Sequence, residues 1–224
     1  MKEKMKSAFI FDMDGVLIDS EPIYKIINTA IFKQIGAFQC IEEYDKYIGS
    51  SLHEMWTDVK SKCDTIKTIE TLNREGLDGK FDYISREGIE PIKNIPEFVI
   101  ALKSAGFSLA VASGSPLKNI QLILDKINLK NHFDYLAGYE CVTKGKPEPD
   151  IFLHVAEKLN INPANCVVIE DSAHGIAAAK RAGMFCIAYA NPNSGKQNLS
   201  SADKVIDDFS TIDCIDLHKQ ISCR

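Results

Sequence analysis

Asp12 and Asp14, separated by one residue, follow directly on the apolar run Ala8-Phe9-Ile10-Phe11, and Gly15 comes straight after them. A buried strand that runs into paired acids is costly unless the acids act at its mouth. Apolar runs of this kind belong to parallel sheets covered on both faces. Such sheets bind ligands beyond the carboxyl ends of their strands. Three further polar groups follow later apolar runs: Ser113-Gly114-Ser115, Lys144-Gly145-Lys146-Pro147 and Glu170-Asp171-Ser172. A parallel sheet brings strand ends like these to one edge, where distant residues become neighbours.

Asp12, Asp14, Glu170 and Asp171 could thus bring four carboxylates together. Two unit charges ~4 Å apart repel by ~4 kcal/mol at an effective dielectric near 20. A compensating cation is therefore expected, and Mg²⁺ is the usual choice where one or two carboxylates meet a phosphate. No His or Cys ligand set accompanies the acids, which argues against zinc. A phosphate explains the other groups. Ser113 offers a hydroxyl, Gly114 an amide with no side chain in the way, and Lys146 a positive charge. Asp12 could attack phosphorus and form an aspartyl phosphate. Asp14 could protonate the leaving oxygen and later deprotonate water.

The elements that must position these groups are legible as short apolar runs. Strands are expected at Ala8–Phe11, Leu109–Ala112, Tyr135–Ala137, Cys166–Ile169, Phe185–Tyr189 and Lys204–Ile206. Helical spacing of apolar residues marks Ile95–Ser104 and Leu117–Ile127. Pro149 opens a helix at Asp150–Leu159, and Gly183 closes one at Ala173–Ala182. Alternation of this kind predicts a parallel α/β sheet. From about Val16 to Glu90 the patterns are helical only. Ile23, Ile26, Ile27, Ala30 and Ile31 form one amphipathic series, with similar segments at Leu52–Val59 and Ile66–Leu72. That stretch is too long for a single crossover, since a whole βαβ unit takes ~30 or more residues. The division expected is an α/β core of residues 1–15 and 91–224 with a helical insert of residues 16–90. Its crossing points, Asp14–Ser20 and Gly88–Pro91, lie near the sheet mouth.

Bulk properties exclude several classes. The formal net charge of -5 in 224 residues argues against nucleic acid as a partner. Lys2, Lys4 and Lys6 read as a solvated terminus. No apolar stretch is long enough to span a membrane, and the first strand is too short for a signal peptide. The seven cysteines are odd in number and include no C-x-x-C pair. Cys166 and Cys186 read as small core residues, Cys214 and Cys223 carry no motif, and a cytoplasmic chain without disulfides is expected.

Asp12-Met13-Asp14-Gly15-Val16 resembles motif I of the haloacid dehalogenase-like (HAD) phosphohydrolase superfamily. Ser113 looks like motif II, Lys146 in Lys-Pro-Glu-Pro-Asp like motif III, and Glu170-Asp171-Ser172 with the following Gly175-Ile176-Ala177 like motif IV. The resemblance covers essentially the whole chain, and the insert is similar to the helical cap of the β-phosphoglucomutase-like and sugar-phosphatase branch. It implies a Rossmann-like parallel sheet with an inserted cap. It implies Asp12 as nucleophile and Mg²⁺ ligand, and Asp14 as acid/base with its main-chain carbonyl on the metal. Asp171, supported by Glu170, would complete the metal site, and Ser113, Gly114 and Lys146 would hold the phosphoryl group. Tyr24 stands where the mutases carry a histidine, and Gly49-Ser50-Ser51-Leu52 lacks the arginine that would bind a second phosphate. These departures favour a phosphatase of a small metabolite, a sugar phosphate, and separately a monomer is expected. A phosphosugar mutase and a catalytically silent binding module are the alternatives. Bland roles fit the remaining candidates: Ser115 as a helix cap, Lys144 and His53 as solvated residues, His174 as a first-turn residue, and Trp56 as core.

Overall fold

A computed structural model describes residues 7–48 and 50–212. Lys2, Lys4, Lys6, Gly49, Cys214 and Cys223 lie outside the described residues. The strands are β1 (Ala8–Phe11), β2 (Ser108–Ala112), β3 (Tyr135–Ala137), β4 (Cys166–Glu170), β5 (Phe185–Tyr189) and β6 (Lys204–Ile206). They form one parallel sheet in the order β3-β2-β1-β4-β5-β6. This is the α/β architecture expected from the alternating pattern. β1 lies between β2 and β4, where the direction of strand addition reverses, so its carboxyl end opens into the crevice that such a reversal creates.

The helices are α1 (Glu21–Gln34), α2 (Phe38–Glu42), α3 (Leu52–Lys60), α4 (Ile69–Glu87), α5 (Ile95–Ser104), α6 (Leu117–Lys126), α7 (Asp150–Leu159) and α8 (Ala173–Arg181). Side chains alternate across a strand, and β1 serves both faces of the sheet accordingly. Phe9 and Phe11 join a cluster with Phe98, Val99 and Leu102 of α5 and Ile120, Ile123 and Leu124 of α6. Ala8 and Ile10 join the opposite cluster with Ile151, Phe152 and Val155 of α7 and Ile176, Ala178 and Ala179 of α8. Cys166 and Cys186 are buried in that second cluster, as small core residues.

Helices α1 to α4 lie between β1 and α5 and have their own apolar cluster, centred on Phe32, Tyr44, Tyr47 and Trp56. Trp56 is a core residue, its ring edge-on to Phe32 at 5.5 Å. Two expectations for this region are corrected. The third helical segment begins at Ile69 rather than Ile66 and runs on to Glu87. Ile66 is 99% exposed, and Thr68 supplies the N-cap by accepting from the Thr71 amide. The apolar series on α1 is also rotated. Ile26 is 52% exposed, and the buried stripe is Ile23, Asn28, Ile31 and Phe32. The polar Asn28 therefore faces inward where an apolar series would have placed Ile26. No described helix is long and apolar enough to cross a membrane.

Candidate active site

The carboxyl ends of β1, β2 and β4 lie side by side and carry Asp12, Ser113 and Glu170-Asp171. The Asp12 amide donates to the Ile169 carbonyl at 2.9 Å, which holds β1 in register with β4 at its last residue. Lys146 enters from the loop between β3 and α7. Its Nζ donates to Asp12 Oδ1 at 2.5 Å, to Glu170 Oε1 at 2.6 Å and to the Ala112 carbonyl at 3.1 Å. One lysine thus ties the ends of three strands together. Lys144, its rival in sequence, is exposed.

Glu170 is buried, and both its oxygens have donors. Oε2 accepts from the amides of Asp171 and Ser172 at 2.9 Å each and from Ser172 Oγ at 3.0 Å. This loop needs Gly175, because a Cβ there would lie 1.8 Å from Glu170 Oε1. Gly15 is required for two reasons. Its φ is +82°, and a Cβ would lie 1.9 Å from Asp171 Oδ2. Ser194 donates to that same Oδ2, and Asn191 Nδ2 donates to the Gly15 carbonyl at 2.9 Å.

Asp14 is held differently. Its Oδ1 accepts from Ser20 Oγ at 2.5 Å and from Lys80 Nζ, and its Oδ2 accepts from Ser115 Oγ at 3.0 Å. Lys80 is fully buried on α4, with its Nζ 3.3 Å from the Tyr24 hydroxyl and over the Tyr24 ring at 4.7 Å. Ser115 is therefore not a helix cap. Pro116 occupies the N-cap of α6, and the Ser115 hydroxyl is spent on Asp14. His174 is an exposed residue in the first turn of α8, and His53 is exposed on α3.

The electrostatics separate the two aspartates. Burial pushes Asp12 up to about 7 against the pull of Lys146, with the charges of Glu170 and Asp14 adding to the rise. Burial would raise Asp14 as well, but the Lys80 charge and hydrogen bonds from Lys80, Ser20 and Ser115 prevail and hold it below the ordinary carboxylate range. Burial drives Asp171 well up, and Glu170 and Asp12 reinforce it.

Lys80 and Lys146 supply two of the compensating charges. Among the described residues no three His, Cys, Asp or Glu side chains form a ready metal cage. Two formal negative charges remain uncompensated, and the raised Asp12 and Asp171 show where that excess lies. The donor set is entirely oxygen. It fits a hard divalent ion that takes one or two carboxylates and keeps water or substrate oxygens for the rest.

Asp12, Asp14, Ser113, Gly114, Lys146, Glu170 and Asp171 all line a single cavity of about 350 Å³, a size typical of small-molecule sites. Sequence reasoning missed Lys80, Ser20, Asn191 and Ser194. Lys80 lies on the buried stripe of α4 with Leu72, Gly76 and Ile84, but as a lysine it does not count toward an apolar period. The other three stand in loops with no period to betray them.

The chain is similar over most of its length to several known proteins. The chain is 31% identical over 217 residues to the bifunctional riboflavin kinase/FMN phosphatase of Arabidopsis thaliana, with 94% of the chain aligned and 55% of that longer protein spanned. It is 30% identical over 177 residues to the phosphorylated carbohydrates phosphatase of Thermotoga maritima, covering 79% of this chain and 82% of that one. The crystal structure of β-phosphoglucomutase from Clostridium difficile superposes with a TM-score of 0.77 at 25% identity, covering 97% of this chain and 98% of that one. The model of the haloacid dehalogenase-like hydrolases matches residues 9–189, from within β1 to the last residue of β5, and with this sheet and these strand-end acids the chain belongs to that family.

Proposed function

We propose that this hydrolase is a phosphatase that removes the phosphoryl group from a small metabolite, a sugar phosphate, through a phosphorylated Asp12. The observation that carries this reading is the position of Asp12. It lies at the mouth of the sheet beside Lys146 and Ser113, on a cavity that also holds a second aspartate in a different electrostatic state. The relatives named for phosphatase activity support the same chemistry.

Lys146, the Ser113 hydroxyl and the exposed Gly114 amide are placed to take the phosphoryl oxygens. Asp12 attacks phosphorus, and the bond to the leaving oxygen breaks. Asp14 gives that oxygen its proton, then accepts a proton from the water that hydrolyses the phosphorylated Asp12. Asp14 is held ionised by Lys80 here, which is the form the second step needs. The first step needs it protonated, so the Lys80 contact must loosen as the substrate is loaded.

The carboxylates of Asp12 and Asp171 and the main-chain carbonyl of Asp14 would hold Mg²⁺. Glu170, with both oxygens occupied, would act through Lys146 and the Asp171 loop. When bound, Mg²⁺ offsets the negative charge of the acids and of the phosphate.

A mutase needs to bind a second phosphate. Leu52, rather than a cation, lines the cavity from the loop where that contact is expected. The test is phosphate release from a panel of phosphorylated sugars with Mg²⁺. Release is expected, reduced on the order of 10³-fold or more by Asp12→Asn. No release from any ester would leave the silent binding module. Isomerisation without net phosphate loss would establish the mutase.

A further inference from the structure

We propose that Ser194 is a positioning residue for the cation site: its hydroxyl holds the Asp171 carboxylate ready for Mg²⁺, from a segment that supplies no ligand of its own. The proposal rests on Asp12, Asp14 and Asp171 as the holders of that ion and deepens that reading. Residues 191–197 follow β5 and bond to both loops that would supply ligands. Asn191 Nδ2 donates at 2.9 Å to the carbonyl of Gly15, the neighbour of Asp14 in the chain. Ser194 Oγ donates to Asp171 Oδ2. Gln197 Oε1 accepts at 3.0 Å from the amide of Ala173, the first residue of α8. The two loops leave different strands, β1 and β4, whose pairing reaches Asp12 and Ile169. Beyond that point this segment bridges them.

The Ser194 hydroxyl is not needed to close its own loop. The Ser194 amide donates to the Asn191 carbonyl at 3.2 Å, and the Asn193 amide donates to Asn191 Oδ1 at 2.8 Å. Gln197 Nε2 donates to the Ser194 carbonyl at 3.0 Å. The loop is thus tied by its main chain and by Asn191 and Gln197, and the hydroxyl is spent outside it. Ser194 and Asp171 are each only 7% exposed, and both line the cavity.

Asp171 depends on that bond more than its neighbours would. No basic side chain among the described residues forms an ion pair with it, since Lys146 is taken by Asp12 and Glu170. Its orientation rests on the Ser194 hydroxyl and on contact with Gly15, where a Cβ would lie 1.9 Å from Oδ2. The hydroxyl engages one carboxylate oxygen and leaves Oδ1 for an ion. Without it the carboxylate is free to turn, and binding must then order it. Carboxylates that hold metal ions are themselves hydrogen-bonded, and loss of such a partner weakens metal binding by about 10–100-fold.

The experiment is calorimetric titration of Mg²⁺ into the full chain, first freed of metal by a chelator, with the Tm of the metal-free protein measured alongside. Ser194→Ala is expected to raise the Kd for Mg²⁺ by about tenfold or more. The Mg²⁺ concentration that gives half-maximal phosphate release should rise in parallel. Ser194→Thr keeps a hydroxyl and is expected to restore most of the loss. Asn193→Ala alters the same segment but removes only an exposed contact to Asp19, and its Kd is expected to match that of the unaltered chain. An unchanged Kd in Ser194→Ala, with or without a fall in Tm, would overturn the proposal and leave Ser194 a packing residue. So would an equal rise in Asn193→Ala. If Ser194→Ala does not fold, Ser194→Cys decides in the same way, because a thiol is a weak donor of similar size. Asp171→Asn separates the proposal from the reading beneath it. If that variant loses Mg²⁺ while Ser194→Ala binds it normally, only the positioning role falls. If the unaltered chain takes up no Mg²⁺, or Asp171→Asn binds it undiminished, both fall.

Discussion

Asp12 and Asp14 are one residue apart and are held in opposite electrostatic states. The difference comes from what faces each. Asp12 shares Lys146 with Glu170, whereas no second carboxylate shares Lys80, Ser20 or Ser115 with Asp14. Lys80→Met therefore tests the assignment of Asp14. The substitution removes the charge that lowers Asp14 and leaves the burial that raises it. The pKa of Asp14 rises, so whichever limb of the pH–rate profile it governs moves to higher pH. The rate at neutral pH falls, because Asp14 is then less often in the ionised form that the hydrolytic step needs. A profile of phosphate release for both proteins, begun at about pH 3, below the ordinary carboxylate range of about 4, checks this. A uniform drop with unmoved limbs would mean that Lys80 only supports the fold.

At the scale of elements, much of the architecture was open to sequence reasoning because the strands are buried on both faces. A parallel strand so placed reads as a bare apolar run, and Ala8–Phe11 and Cys166–Ile169 both do. Asp12, Asp171 and Lys146 could be found because they stand directly after such runs or in a patterned loop. Lys80 and Asn28 were hidden for the opposite reason. They are polar residues on the buried stripes of α4 and α1, and a periodicity count takes them for surface. Lys80 turns inward to Asp14, and Asn28 to the Tyr44 hydroxyl. The helices that carry them depend on the cluster around Trp56. Trp56→Ala removes a fully buried ring and is expected to cost about 3–5 kcal/mol. Because that cluster is separate from the two on the sheet, the loss should fall on α1 to α4. Native-state amide exchange is the measurement. Faster exchange in Ile23–Phe32 and Leu72–Ile84, with the amides of β1 and β4 unchanged, is expected. An equal rise throughout would show that the helices and the sheet unfold as one unit.

At the scale of the molecule, we propose that the helices act as a cap that moves on the sheet. We place its hinge beyond Ile18. Val16, Leu17 and Ile18 pack in the cluster on the α5 face of the sheet. The two crossings are joined there, since Ile18 bridges to Asp14 and to Pro91 and the Ile92 amide donates to the Leu17 carbonyl at 2.9 Å. Motion must then arise just beyond this tie, around Ser20 on one strand of the connection and Glu87–Glu90 on the other. Few bonds oppose it. Lys118 meets Asp78 at 2.8 Å and Lys126 meets the Ser85 carbonyl at 2.9 Å, both at exposed positions. The exposed Lys118–Asp78 ion pair contributes ~0–1 kcal/mol, and the Lys126 contact is a single hydrogen bond to a main-chain carbonyl. The stronger link is Lys80 with Asp14, which joins the cap to the catalytic loop itself. Closure over a bound phosphate analogue would bury both crossings and exclude water from the phosphoryl group. Limited proteolysis with and without vanadate and Mg²⁺ is the check. Cleavage near Ser20 and Glu87–Glu90 is expected to slow several-fold when the analogue is bound, while cleavage at unrelated exposed loops continues. Equal cleavage in both states would show a cap fixed on the sheet, with substrate entering by side-chain movement alone.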